Sequence, residues 1–200
     1  MGPTAPRPGP LANVLPLAFE LRGRSVLVIG AGRVGARKAA QLLEAGARVT
    51  VVAESLDAPL PAGLASVQRR RYREGDVAGH WLVVSATGDL TTNDQVVREA
   101  RAAGTWLNVV DDPGRSSFYF MALHRDGDVC VAVSTSGASP ALAQAIRTFI
   151  AERLPYGLAA VARRLAGERD ALHRSMTSTE GVDWSGRISE LFEEERRPSR

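Results

Sequence analysis

A glycine-rich motif, Gly30-Ala-Gly-Arg-Val-Gly35, follows directly after a short apolar run that ends at Ile29. In such a motif the first glycine, Gly30, allows a tight turn, and the second, Gly32, lets the backbone approach a pyrophosphate closely. The third, Gly35, lets the next helix pack against the strand, while exposed N–H groups at the helix start bind the anion. The motif therefore predicts a dinucleotide-binding loop. An ordinary turn between a strand and a helix is the alternative.

An acid stands about twenty residues further on, where the next strand-like run ends. The run is Arg48 to Ala53, and Glu54 follows it. A carboxylate at this place accepts hydrogen bonds from the ribose hydroxyls of the adenosine and repels a 2′-phosphate, so NAD is favoured over NADP. Ser55 can share this role. A solvated acid at the strand end is the alternative for Glu54.

A second acid, Asp111, follows the apolar run from Trp106 to Val110. The carboxyl end of a strand in a doubly wound sheet borders the crevice where a nicotinamide ring would lie, and an acid there can act as a base. The sequence Asp111-Asp-Pro-Gly114 is also typical of a turn, so Asp111 can equally cap the following loop. Position alone leaves both interpretations open.

A hydroxyl-rich turn precedes a predicted helix in the second half of the chain. It contains Ser134, Thr135, Ser136 and Ser139, and Pro140 follows as the first helical residue. Backbone N–H groups in such a turn can receive a substrate carboxylate. Simple capping of the helix by Ser139 or a neighbour is the alternative, and one turn can do both.

The elements that carry these residues alternate between strand and helix, which predicts an α/β fold with a Rossmann-type parallel sheet. Thr87 lies in the small-residue turn after the fourth strand, where loops line the cofactor crevice. The predicted strands are 25–29, 48–53, 67–72, 80–85 and 106–110, and the predicted helices between them are 34–45 and 91–103.

The composition changes after residue 112. Two apolar runs, 118–123 and 128–134, flank a turn and predict a hairpin outside the parallel sheet. A helix is predicted from Pro140 to about Arg153, and two further helical stretches are predicted between residues 156 and 195. The second half is therefore predicted to be a small α+β segment followed by a helical C-terminal part.

Composition limits the classes of function. The chain is 44% hydrophobic with a net charge of +3, typical of a folded protein. No apolar run reaches the roughly 18 residues of a membrane helix, and the three histidines have no metal-ligand spacing. The arginines of 69–73 favour a solvated edge strand over nucleic-acid binding. The single cysteine, Cys130, fits a reducing compartment and is predicted to be buried. We expect a cytoplasmic protein with no membrane, nucleic-acid or metal-cofactor site.

Several ordered motifs together resemble the precorrin-2 dehydrogenase family, the dehydrogenase/ferrochelatase module of siroheme synthases. The resemblance covers roughly residues 14 to 175. It rests on residues 15–24 before the glycine loop, Arg37-Lys38, Glu44-Ala-Gly-Ala-Arg-Val-Thr50, Asn108-Val-Val-Asp111, Ser117-Phe118 and Val133-Ser-Thr-Ser-Gly-Ala-Ser-Pro140.

The resemblance implies NAD-dependent oxidation of precorrin-2 to sirohydrochlorin by a homodimer. Asp111 matches the family's essential aspartate, a general acid/base. NAD contacts are implied at Arg33, Val34, Glu54 and Ser55, and Thr135 matches a serine near the tetrapyrrole. The predicted substrate contacts are Asn108, Ser134, Thr135 and Ser139.

The expected organisation has four parts. They are a flexible tail (1–13), an NAD-binding Rossmann domain (14–112), a dimerisation and substrate segment (113–153) and a helical C-terminal region (154–200). Two other functions stay open. Some relatives also insert Fe²⁺ or Co²⁺ into sirohydrochlorin, and a Rossmann domain can sense NAD(H) without chemistry.

Overall fold

The structure, a computed structural model, describes residues 14–176 and 178–196. The predicted tail, residues 1–13, lies outside the described residues. The chain forms two compact units that divide between Phe120 and Met121.

The first unit contains a five-stranded parallel sheet with the order β3-β2-β1-β4-β5, which confirms the predicted Rossmann-type fold. Helices α1 (Arg33–Glu44) and α2 (Leu90–Ala103) connect its strands. The strands are β1 (Ser25–Ile29), β2 (Arg48–Ala53), β3 (Ser66–Arg69), β4 (Leu82–Ser85) and β5 (Trp106–Val109).

The central strands are continuous apolar runs because both faces of the sheet are covered. On one face Val26 and Val28 pack with the α1 residues Ala39 and Leu42. On the other face Leu27 and Ile29 pack with apolar residues of α2. Each fully buried valine or leucine contributes roughly 1.5–3 kcal/mol, so these layers fix the sheet and hence the loops at its carboxyl edge.

Two strands are shorter than predicted because polar bonds interrupt them. Strand β3 ends at Arg69, and the side chain of Arg70 turns to bind Asp76, with its Nη1 2.7 Å from Oδ2. Strand β4 begins at Leu82, because the backbone N–H of His80 donates to Val77 in a turn. The edge position predicted for the arginine-rich strand is confirmed.

The first unit extends to Phe120, beyond the predicted domain end at residue 112. A short 3₁₀ helix, Pro113–Arg115, leads the chain back along β5. There the hydroxyl oxygens of Ser116 and Ser117 accept hydrogen bonds from β5 backbone N–H groups. These bonds hold the segment against the sheet, and the strand predicted from residue 118 begins only at Ala122.

The described residues of the second unit form a two-stranded antiparallel hairpin and three helices, as predicted. Its elements are β6 (Ala122–Asp126), β7 (Val129–Val133), α3 (Pro140–Ala151), α4 (Leu158–Arg174) and α5 (Trp184–Glu195). Burial alternates along β7, and Cys130 is exposed, so the prediction of a buried thiol was wrong. An apolar run is buried throughout only where both faces of a sheet are covered, and this hairpin has one covered face.

No helix among the described residues is long and apolar enough to cross a membrane.

Candidate active site

The glycine loop lies at the carboxyl ends of β1 and β4, where the strand order of the sheet reverses. Gly30 has φ +95°, a conformation that favours glycine, and its N–H donates to the carbonyl of Val52 at 2.9 Å. A Cβ on Gly30 would lie 2.6 Å from the carbonyl oxygen of Ala86, in the loop after β4. The two loops therefore touch at the position where doubly wound sheets bind nucleotides.

The N-terminus of α1 fits a pyrophosphate. Gly32 is the N-cap, no side chain caps the helix, and its first turn holds no acid. A Cβ on Gly32 would meet nothing within 4 Å, which leaves the backbone open to a ligand. A Cβ on Gly35 would instead collide with the carbonyl oxygen of Gly30. The roles predicted for the glycines therefore agree with the geometry: a tight turn, an open approach and close packing.

The loop after β4 is held in place by the buried side-chain amide of Asn93. Asn93 of α2 accepts a hydrogen bond from the Ser85 hydroxyl at 2.6 Å, and its Nδ2 donates to the carbonyl of Thr87 at 3.2 Å. Asp89 caps α2 by accepting from the Thr91 N–H. Neither Asn93 nor Asp89 was predicted from the sequence, although an aspartate just before a helical pattern is an N-cap signal.

Glu54 lies at the carboxyl end of β2, on the same edge as the glycine loop. Its Oε2 accepts a hydrogen bond from Nε of Arg71 at 2.9 Å, and both side chains are largely exposed. Ser55 is engaged with a neighbour, since its hydroxyl donates to Asp57 at 2.9 Å. Glu54 was predicted from the sequence, but its partner Arg71, which follows a different strand, was not.

Asp111 lies two residues beyond the end of β5, in the turn that follows this strand. It is exposed and has φ +61°, a left-handed conformation that costs a non-glycine residue about 1 kcal/mol or more. Within residues 14–176 and 178–196, no hydrogen bond or ion pair involves its side chain. Its carboxylate is therefore held on a strained backbone with its oxygens available.

The loop after Asp111 is capped by its neighbour. The Asp112 carboxylate accepts from the backbone N–H of Arg115 at 3.2 Å and from Nε of the same residue at 2.5 Å. Arg115 also binds Asp94 of α2, at 2.7 Å. The capping role that the sequence left open for Asp111 thus belongs to Asp112.

Asn108 is buried in β5, with 8% of its surface exposed. Its Nδ2 donates to the carbonyl of Phe118 at 3.0 Å, which ties the returning segment to the sheet. The Asn108 amide therefore has a structural role in this unit. Its predicted contact with the substrate stays a prediction.

Lys38 on α1 lies partly buried beside the same returning segment. Its Nζ is 3.6 Å from the centroid of the Phe120 ring, a cation–π contact. Burial, and secondarily the charge of Arg37, lowers the pKa of Lys38 to about 8.

The hydroxyl-rich turn of the second unit is closed by its own hydrogen bonds. The Thr135 hydroxyl accepts from the N–H of Ser139 and donates to its carbonyl, at 3.1 and 2.9 Å. The Ser139 hydroxyl accepts from the N–H of Leu142 at 3.1 Å, and the Ser134 hydroxyl accepts from Ser136. The predicted helix cap is confirmed, and substrate binding by these residues stays a prediction.

Across the described ranges, no group of three or more His, Cys, Asp or Glu side chains is placed to hold a metal ion.

Comparisons with known proteins agree with this geometry. Residues 17–122 match a family described as "Putative NAD(P)-binding", and residues 126–153 match one described as "Sirohaem biosynthesis protein central". Siroheme synthase 1 of Aeromonas salmonicida (strain A449) is 40% identical over 161 residues, covering 78% of this chain and 34% of that protein. Siroheme synthase of Tolumonas auensis is 41% identical over 158 residues, covering 78% and 34%. The chain thus spans about a third of the length of these relatives.

A solved structure titled "SirC, precorrin-2 dehydrogenase" matches with a TM-score of 0.67 and 26% identity, over 92% of this chain and 90% of that one. These matches confirm the resemblance to the precorrin-2 dehydrogenase and siroheme synthase family that the motifs indicated. The glycine loop and the crevice beside it lie within residues 17–122, and this match covers more than half of the chain. The chain therefore belongs to this NAD(P)-binding family.

Proposed function

We propose that this chain uses NAD to oxidise precorrin-2 to sirohydrochlorin. One observation carries the proposal: the Asp111 carboxylate follows the last strand of the nucleotide-binding sheet and is left unbonded by the described residues, while Asp112 caps the loop. The likeness to a precorrin-2 dehydrogenase over nine-tenths of both chains supports the choice of substrate.

The reaction removes a hydride and a proton from the macrocycle. NAD, when bound, supplies the hydride acceptor. Asp111 accepts the proton, directly or through a water molecule, and a general base of this kind contributes about 10²–10⁴-fold to the rate. The backbone of the glycine loop, Gly30 to Gly35, and the α1 N-terminus would hold the pyrophosphate of NAD, and Arg33, Val34 and Thr87 would contribute to the cofactor site. Glu54, with Ser55, binds the adenosine ribose.

Precorrin-2 carries eight carboxylates, so its recognition requires hydrogen-bond donors. We propose that Asn108 in the first unit, and Ser134, Thr135 and Ser139 in the second, each contact this substrate. In the second unit the side-chain hydroxyls are used within the turn, so backbone N–H groups there are the donors for a substrate carboxylate.

We also propose a homodimer formed through α3. Leu142, Ile146 and Phe149 lie on one face of this helix and are 52%, 37% and 55% exposed. Contiguous exposed apolar side chains on a helix face are typical of a protein interface. Ile146→Glu should shift the molecular mass in solution from dimer to monomer, measured by light scattering after gel filtration. Gln144→Glu, on the opposite side of the helix, is the matched control and should leave the dimer intact.

Insertion of Fe²⁺ or Co²⁺ into sirohydrochlorin is a second proposed activity. Metal insertion releases two pyrrole protons, and the Asp111 carboxylate is a suitable acceptor for one of them. The proposed location is the cytoplasm, where both NAD and a water-soluble substrate are available to the protein.

The decisive experiment is anaerobic incubation of the protein with precorrin-2, with and without NAD, while absorbance reports sirohydrochlorin and NADH. We expect one NADH per sirohydrochlorin in the unmodified protein. Asp111→Ala should lose turnover and retain NAD affinity, and Asp112→Asn is the neighbouring control, which should retain turnover. Added Co²⁺ then tests chelation. NAD binding without turnover in the unmodified protein would refute the dehydrogenase and favour an NAD-sensing module.

A further inference from the structure

A salt bridge joins residues that follow the carboxyl ends of β2 and β3, the two strands on one side of β1. Strands β2 and β3 are parallel neighbours, with Ala53 opposite Arg69. The residues just beyond these positions, Glu54 and Arg71, therefore meet at one edge. Nε of Arg71 donates to Oε2 of Glu54 at 2.9 Å.

Both partners keep groups available for a ligand. The side chains of Arg71 and Glu54 are 83% and 64% exposed. Within the described part of the chain, the hydrogen bond between Nε and Oε2 is the one that joins them. The second carboxylate oxygen can thus accept a ribose hydroxyl, and the terminal guanidinium nitrogens can donate to a phosphate, for which their fork geometry is suited.

The other arginines nearby are not equivalent. Arg70 is committed to Asp76 and Gln68 through its terminal nitrogens. Arg71 instead lies near enough to the loop after β4 for its charge to act on Asp89. The pKa of Asp89 is lowered, mainly by hydrogen bonds from Thr92 and Thr91, with the charge of Arg71 contributing.

We infer that Arg71 is a second determinant of cofactor choice. Its Nε positions Glu54 to accept the ribose 2′-hydroxyl of NAD, and its guanidinium becomes the ligand of a 2′-phosphate once the charge of Glu54 is removed. The negative charge of Glu54 would otherwise compete with that phosphate for the guanidinium. The inference rests on the proposed use of NAD and extends it to the discrimination against NADP.

The test measures the dissociation constants of NAD⁺ and NADP⁺ by calorimetry for the unmodified protein, Glu54→Gln, Arg71→Gln and the double variant. The exposed pair contributes little to stability, so all four proteins should fold. Glu54→Gln should tighten NADP⁺ binding by about tenfold or more, the value of a charge-assisted hydrogen bond. The gain should disappear in the double variant and weaken in high salt, which screens exposed charges.

Arg71→Gln alone should weaken NAD⁺ binding about two- to tenfold, because Glu54 loses the bond that orients it. Arg69→Gln is the matched control: it removes the same charge from the same edge and should leave both constants unchanged. A double variant that keeps the NADP⁺ gain, or Arg71→Gln that behaves like Arg69→Gln, would overturn the inference alone. Failure of the unmodified protein to bind NAD⁺ would overturn the proposed function together with it.

Discussion

Two glycines of the nucleotide loop should respond in opposite ways to the same substitution. Gly32 has φ −74°, which any residue adopts, and a Cβ there would meet nothing within 4 Å. Gly32→Ala should therefore leave the unliganded fold intact, or stabilise it by about 0.4–1 kcal/mol through the lower entropy of the unfolded chain. The added methyl group occupies the space through which the pyrophosphate approaches, so NAD affinity should fall at least about tenfold, or 1.4 kcal/mol.

Gly35→Ala should instead destabilise the protein. Its Cβ would collide with the Gly30 carbonyl oxygen and lie 3.0 Å from the carbonyl carbon, both backbone atoms that cannot rotate away. Overpacking of this kind costs about 1–3 kcal/mol, and each kcal/mol lowers Tm by about 2–4 °C in a chain of this size.

The assay combines thermal unfolding without cofactor and calorimetric titration with NAD⁺ for the two variants. Gly63→Ala is not a suitable control, because Gly63 has φ +89°. Gly167→Ala is suitable, since this helical position has open space around its Cβ and lies in the second unit. A Gly32→Ala variant that lowers Tm as much as Gly35→Ala does, or that binds NAD⁺ as tightly as the unmodified protein, would contradict these expectations.

Three further predictions concern single side chains. Lys38 is the only lysine of the chain, and burial lowers its pKa to about 8. The rate at which Lys38 is acylated should therefore rise with pH, with a midpoint near pH 8. A midpoint near pH 10.5 would contradict this prediction. Burial also lowers the pKa of His80 below its ordinary value of 6.5. As the pH falls through 6.5, the unfolded state therefore takes up this proton before the folded state does, and the free energy of unfolding should decrease. Urea unfolding at pH 7.5 and 5.5 should show a smaller pH effect in His80→Gln, and an unaltered one in the exposed His173→Gln. Ser139→Ala removes the hydroxyl that caps α3 and should cost about 0.5–2 kcal/mol in urea unfolding, whereas no change would contradict the cap.

The features that could be read from the sequence are local in the chain. The glycine loop, the strand before it and the helix after it lie within about twenty residues, and each depends on neighbours in sequence. The predicted β1 and β2 match the structure residue for residue, because largely apolar runs bounded by turns favour the buried strands of a parallel sheet. The motif Asn108-Val-Val-Asp111 could likewise be recognised from the sequence alone.

Other features depended on contacts between distant residues. The sequence could not assign the loop cap to Asp112 over Asp111, because Asp112 is selected by bonds to Arg115, which in turn is held by Asp94 of α2. It could not predict whether Cys130 is buried, since an apolar run does not reveal how many faces of its sheet are covered.

The pairing of Glu54 with Arg71 shows the physical reason most directly. Each residue by itself is an ordinary charged side chain after a strand, and nothing in the spacing between them indicates a bond. They meet because β2 and β3 are adjacent and parallel in one register, which is fixed by the packing of the whole sheet. Local periodicity thus determined the elements and the nucleotide loop, whereas the tertiary order of the strands decided which charges share the edge of the site.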